Sequence, residues 1–189
     1  MNYTSPEILI VGGGPSGLIL ALSLARNNVP VRLIEKSTTE RVGQRGSGIS
    51  PRTFEVFESL GVVDDVLKQV IKVPNFCVFK MPGGTEIIND FNMEEYVDPT
   101  PSIPYPNLML LGQDLLDKIL CAELAKHQCC QIDLGAELQS LKQWEDRVEV
   151  VIIRHDLSQD TFDSIDPVVA HSSPEDPPVA PVVEHASYK

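Results

Sequence analysis

Gly12-Gly13-Gly14-Pro15-Ser16-Gly17 carries the densest chemical signal in the chain, and Glu35 completes it. Backbone N–H groups at the start of a helix attract anions, and glycines let a diphosphate approach them closely. Gly12 suits a tight turn, Gly14 leaves room for phosphate, and Gly17 lets helix and strand approach. Ser16 lies in the first helical turn, where the phosphates would sit. A carboxylate at Glu35 would accept hydrogen bonds from ribose hydroxyls and disfavour a 2′-phosphate. These residue types in this order predict a dinucleotide-binding turn.

Other candidates are weaker on spacing alone. Arg45 stands in the glycine-rich run Gly43-Gln44-Arg45-Gly46-Ser47-Gly48, which could fold over a bound group and neutralise phosphate. A free surface arginine explains it equally well. Arg52 could reach the same region or face solvent. Gln113 is only an N-terminal helix residue, and Asp114 could merely complement the helix dipole. The histidines close a helix (His127) or fall late in the chain (His155, His171, His185). No serine, histidine and acid arrangement has supporting context, and no spacing suits a metal.

The elements around the turn follow from pattern. Residues 7–11 read as a buried parallel strand, 16–27 as a helix and 31–35 as the second strand. Residues 40–50 read as loop. Ser50 and Pro51 suit the cap and first position of a helix running to Gly61, and a short helix follows at 62–70. Phe76–Met81 and Thr85–Ile88 read as a hairpin around Pro82-Gly83-Gly84. Four prolines keep 98–106 irregular, a strand follows at 107–111, and a helix occupies 113–127. Short strands are expected at 131–134, 137–144 and 148–153. Trp144 and the phenylalanines read as core.

The 189 residues carry a formal net charge of −12, which argues against a nonspecific nucleic-acid binder or an anionic membrane surface as partner. No run approaches the roughly 18 apolar residues of a spanning helix, and no signal-like segment opens the chain. Cys77, Cys121, Cys129 and Cys130 read as free thiols, mostly buried, in a reducing and therefore cytoplasmic setting. After Arg154 the composition turns acidic and proline-bearing, so 155–189 is expected to be a disordered tail.

Ile8-Leu9-Ile10-Val11-Gly12-Gly13-Gly14-Pro15-Ser16-Gly17-Leu18 followed by Glu35-Lys36 resembles the N-terminus of the flavin-dependent aromatic hydroxylases, the phenol and para-hydroxybenzoate hydroxylase type. The similarity continues through Arg45-Gly46-Ser47-Gly48-Ile49-Ser50-Pro51-Arg52-Thr53-Phe54-Glu55-Val56-Phe57 and at Leu111-Gly112-Gln113-Asp114-Leu115-Leu116. The resemblance implies an α/β fold, a Rossmann-like FAD-binding β-α-β unit with a partial mixed sheet. It also implies Gly12, Gly14, Ser16, Gly17, Glu35, Lys36, Arg45 and Gln113 as cofactor-binding residues. FAD would be reduced by NAD(P)H and deliver oxygen from O2 to an aromatic or polyketide-type substrate.

Two segments of that family are absent: the Asp-Gly-containing stretch after the strand near 148–153, and a later Gly-Asp-containing stretch that touches the flavin. The expected organisation is therefore a truncated FAD-binding domain at 1–154, with an irregular or β insertion at roughly 74–111, and the tail at 155–189. Such a chain would hydroxylate little alone, and a protein partner could complete its site. Two other readings are a nonredox binding or assembly module on a flavoprotein scaffold, and a gene-model fragment whose tail arose by misplaced splicing.

Overall fold

The computed structural model describes residues 8–39, 46–93, 95–155 and 182–188. The chain divides into two compact units, Met1–Arg41 with Leu124–Lys189, and Val42–Glu123. In chain order the first unit opens with β1 (Ile8–Val11), α1 (Pro15–Arg26) and β2 (Val31–Glu35). The second contributes β3 (Gly48–Ile49), α2 (Pro51–Ser59), α3 (Val63–Leu67), β4 (Ile71–Lys72), β5 (Phe76–Phe79), β6 (Ile87–Phe91), β7 (Met109–Leu110) and α4 (Gln113–Leu124), whose last residue crosses the boundary. The first unit resumes with β8 (Cys130–Leu134), β9 (Ala136–Gln143), β10 (Val148–Arg154) and β11 (Val182–Tyr188).

The first unit is the expected Rossmann-like α/β fold built as layers. A parallel sheet in the order β1-β2-β8 pairs Ile8 with Val31 and Val31 with Cys130. Helix α1 lies against it, burying Leu18, Ala21, Leu22 and Ala25. Strand side chains alternate between faces. On β2, Ile34 joins a core with Ala136, Val150, Ile152 and Tyr188 from the antiparallel sheet β11-β10-β9, leaving Val31 and Leu33 for the opposite face. A middle strand sandwiched this way must be apolar on both sides, and the run at 31–34 is, except for Arg32.

That exception organises the C-terminal part. Arg32 is only 6% exposed. Its guanidinium donates to Asp133 Oδ2 at 2.9 Å, to both carboxylate oxygens of Glu184 at 2.5 and 2.9 Å, and to the Tyr188 hydroxyl at 3.0 Å. Arg154 donates to the same Asp133 and Glu184 carboxylates. Hydrogen bonding to Arg32 holds Glu184 below the usual carboxylate range. Burial opposes ionisation of Asp133, but hydrogen bonds from Gln131, Arg32 and Arg154 outweigh it and lower its pKa as well. Arg32 itself is raised, first by its bond to Glu184.

The expectation of a disordered tail is therefore corrected at 182–188. This segment pairs antiparallel with β10 along seven registered positions, from Val148↔Tyr188 to Arg154↔Val182. Its Glu184 and Tyr188 neutralise and satisfy a buried cation, and bare composition does not register such a nonlocal gain. The composition change after Arg154 thus does not mark the end of the ordered fold. The rest of the expected tail, 156–181 and Lys189, lies outside the described residues.

In the second unit, Ser50 and Pro51 open α2 as expected, although the Ser50 hydroxyl meets the Thr53 hydroxyl at 3.0 Å instead of capping the backbone. Phe54 and Phe57 are buried edge to face, and Tyr105 stacks on Phe54 at 5.7 Å. The stretch read as loop contains β3, which pairs with β7, and β7 also pairs with the unforeseen β4. The hairpin is present, but its second strand is shifted to 87–91 because Gly83 and Gly84, both at positive φ, lie in a longer connection.

Two burial expectations are corrected. Cys77 and Cys121 are exposed, and Cys129 and Cys130 are half-buried; none is in a disulfide. Trp144 is 40% exposed at the β9–β10 turn, where Lys142 and Arg147 cover its ring, so cations stand in for core packing. Among the described residues, no helix is long and apolar enough to cross a membrane.

Candidate dinucleotide-binding site

The glycine turn occupies the C-terminal end of β1, where an open parallel sheet presents its ligand crevice. Its geometry follows from local constraints. Gly12 has φ +106°, a conformation that disfavours any side chain, and its N–H donates to Ile34 O at 2.8 Å, tying the turn to β2. At Gly17 an added Cβ would lie 2.0 Å from the Gly12 carbonyl oxygen. No larger residue fits there without moving the turn.

Gly14 is the N-cap residue of α1 in extended conformation, and its carbonyl accepts from Leu18 N–H at 3.0 Å. Pro15 takes the first helical position, where the missing N–H costs no hydrogen bond. Among the described residues no side chain caps this helix start. The N–H groups of Ser16 and Gly17 belong to the first turn, whose donors no intrahelical carbonyl can meet. Helix polarity adds positive potential at that point. The turn therefore suits an anionic diphosphate by shape and by field.

Glu35 closes the other side. Gly13 N–H donates to Glu35 Oε2 at 2.6 Å, and Ser37 N–H donates to Oε1 at 2.9 Å. The carboxylate is thus oriented from both sides at the end of β2. An added Cβ on Gly13 would stand 3.1 Å from Glu35 Cβ, so the close approach depends on Gly13 too. Sequence reasoning gave jobs to its three neighbours and missed this one. A glycine facing a strand-end acid is the signal that could have found it.

The remaining predicted residues fall elsewhere. Lys36 extends from the next position, and its Nζ donates to Glu137 Oε1 at 2.7 Å. The other Glu137 oxygen lies 2.9 Å from His155 Nε2. Hydrogen bonds from Lys36 and then His155 hold the Glu137 carboxyl below its ordinary range, so it is ionised at neutral pH. Neither Glu137 nor His155 was foreseen, because their pairing depends on β9 and β10 packing beside β2. Gln113 opens α4 in the second unit. Arg45 lies outside the described residues.

Three features of the turn fit a flavin dinucleotide. The turn excludes a Cβ at Gly17, the helix start lacks a side-chain cap, and an oriented carboxylate ends β2. This donor and acceptor set matches a diphosphate followed by a ribose diol.

The fold defines an α/β protein of the Rossmann-like β-α-β class, with an antiparallel sheet added to the parallel one. The family model described as "FAD binding domain" matches residues 5–165. The chain belongs to that family of FAD-binding monooxygenase domains, related to the para-hydroxybenzoate hydroxylase type. It is 31% identical to a flavin-dependent monooxygenase of Mycobacteroides abscessus, over 77% of this chain and 30% of that protein. It is 33% identical to the aklavinone 12-hydroxylase DnrF of Streptomyces peucetius, over 78% of this chain and 32% of that one. Among solved structures, aklavinone-11 hydroxylase with FAD and aklavinone matches with a TM-score of 0.63 and 29% identity, covering 80% of this chain and 30% of that chain. The flavin-dependent monooxygenase PieE, in complex with FAD and substrate, matches with a TM-score of 0.64 and 27% identity, covering 77% and 26%. The chain thus spans about a third of the length of the curated relatives it matches.

Proposed function

We propose that this chain binds FAD through the β1–α1 turn and Glu35, as the nucleotide-binding part of a monooxygenase acting on an aromatic or polyketide-type substrate. The observation that carries the reading is the Glu35 carboxylate, hydrogen-bonded to Gly13 N–H beside the uncapped start of α1. In this reading Gly12 and Gly17 shape the turn, Gly14 admits the diphosphate, and the N–H groups of Ser16 and Gly17 donate to it. Glu35 accepts from the adenosine ribose. Arg45 and Gln113 contact the cofactor by family resemblance, and Lys36 adjoins its ribose end. When bound, FAD supplies oxygen chemistry with O2 after reduction by NAD(P)H.

The protein's own contribution is positioning and electrostatics. Helix-start donors neutralise phosphate charge, and Glu35 sets the register of the adenosine. The FAD-binding domain assigned to 1–154 includes β11 as well, since β11 neutralises Arg32 on the strand that ends in Glu35. The partial coverage of the relatives supports a second statement: these 189 residues alone bind FAD but hydroxylate little or nothing without further chain or a partner. The same observation favours, as the alternative, a nonredox binding module.

Calorimetric titration of FAD into the full chain tests the reading. Binding that weakens at least tenfold in Glu35→Ala supports it. Folded wild-type protein giving no heat with millimolar FAD would sink it. Single-turnover product analysis after anaerobic reduction tests the second statement, and efficient hydroxylation by the isolated chain would refute it.

A further inference from the structure

Strand β2 joins the glycine turn to the far end of the chain. At its C-terminal end, Ile34 O accepts from Gly12 N–H at 2.8 Å and Glu35 Oε2 accepts from Gly13 N–H at 2.6 Å, so the turn is registered on β2. Strand alternation puts Arg32 on the same face as Ile34, the face turned to the antiparallel sheet. There β11 engages both: Glu184 accepts from two guanidinium nitrogens of Arg32, the Tyr188 hydroxyl accepts from one of them at 3.0 Å, and Tyr188 shares a core with Ile34. Arg32 and Glu35 are three residues apart, about 10 Å along an extended strand. A residue 152 positions from Arg32 in sequence thus bears on the short segment that carries the ribose acid.

We propose that Glu184 is a positioning residue of the nucleotide site: by neutralising Arg32 it holds β2, and with it Glu35 and the Gly12–Gly13 backbone, at the setting that receives the dinucleotide. The inference rests on the nucleotide-binding reading above. Charge balance supports it. Two guanidinium groups, Arg32 and Arg154, meet two carboxylates, Asp133 and Glu184. Without the Glu184 charge one positive charge is left over, beside a guanidinium whose residue is only 6% exposed. Asp133 has no spare capacity to replace it, since it already accepts from Arg32, Arg154 and Gln131. An uncompensated buried cation is costly and draws toward water. Arg32 stands on a middle strand flanked by β1 and β8, so relief comes by shifting β2 or by undocking β11. Either movement displaces the acid at the end of β2. Dinucleotide binding and β11 docking are then linked, and each strengthens the other by the same factor.

The test compares calorimetric FAD affinity of the full wild-type chain, Glu184→Gln, and Arg32→Met combined with Glu184→Met, each shown to be folded by circular dichroism. Affinity should fall about fivefold in Glu184→Gln, the low end of measured couplings. A residue that merely adds stability would leave it unchanged, because the folded protein would still present the same site. In the double variant the buried charge is gone, and affinity should return to within about twofold of wild type. Reciprocity gives a readout that needs no variant: saturating FAD should slow amide exchange across 182–188 of the wild-type chain by about fivefold. Equal affinity in wild type and Glu184→Gln overturns the proposal, as does a loss that persists in the double variant or β11 exchange that ignores FAD. If folded wild-type protein does not bind FAD, the nucleotide reading itself falls and this inference goes with it; wild-type binding that Glu184→Gln leaves intact isolates the failure to Glu184.

Discussion

The two units solve the burial problem differently. In the first, β2 is covered on both faces and its buried charge, Arg32, is matched by two carboxylates and a tyrosine hydroxyl. In the second, α2 buries Phe54 and Phe57, but every residue of β5 and β6 is exposed, including Phe76, Phe79, Ile87 and Phe91. A two-stranded hairpin is marginal in water without a layer against it. The glycine turn therefore stands on a self-satisfied scaffold, whereas the hairpin presents apolar surface of the kind that interfaces use.

The largest expected effect is at the turn. Gly17→Val drives a branched side chain into the Gly12 carbonyl, so it should lower stability by about 3 kcal/mol and abolish FAD binding, read by urea unfolding and titration. Wild-type-like behaviour would show that the turn is looser than its geometry. Phe54→Ala should cost a similar amount, about 3–4 kcal/mol, by leaving a cavity beneath Tyr105. Phe79→Ser on the hairpin should change stability by no more than about 0.5 kcal/mol, which sharpens the contrast within one unit. A large loss there would mean the hairpin is packed.

Between these extremes lies the Arg32 cluster. Glu184→Gln weakens a buried cation's principal partner and should cost about 2 kcal/mol at neutral pH. The pH dependence has a definite sign. Asp133 and Glu184 have pKa values below their unfolded ones, so their stabilisation is complete above the ordinary carboxylate range near 4. It is lost as pH falls through the folded values. Unfolding free energy measured from pH 7 to 3 should drop steeply at the acid end in wild type and less so in Glu184→Gln. Parallel curves would count against the cluster. Smallest of all, Lys80→Ala on the exposed Lys80–Glu86 pair should shift stability by less than about 0.5 kcal/mol, within reach of careful denaturant titration.

Much of the first unit was legible because its signals are local. A glycine turn between an apolar run and a helix, then a second apolar run ending in Glu35, specifies its geometry within a few residues. Most of the hairpin and α2 were readable for the same reason: turn glycines and a Ser-Pro start act on their immediate neighbours. The burial of Cys77 and Trp144 was misjudged because an apolar or aromatic type says what a side chain tolerates, and only the neighbouring layer says what covers it. Arg32 was the one charge inside the apolar run at 31–34, a clue that some distant acid had to meet it.

The chain's own order of residues determined the turn, the helix that follows it and the acid at the end of β2, since each depends on backbone sterics and short-range hydrogen bonds. Tertiary structure alone decided that Glu184 and Tyr188 return to Arg32, that β11 joins a sheet despite its acidic surroundings, and that Lys36 faces Glu137. Those choices depend on charges far apart in sequence being brought within hydrogen-bond distance. Their stabilisation exists only after the sheets have packed and water has been excluded.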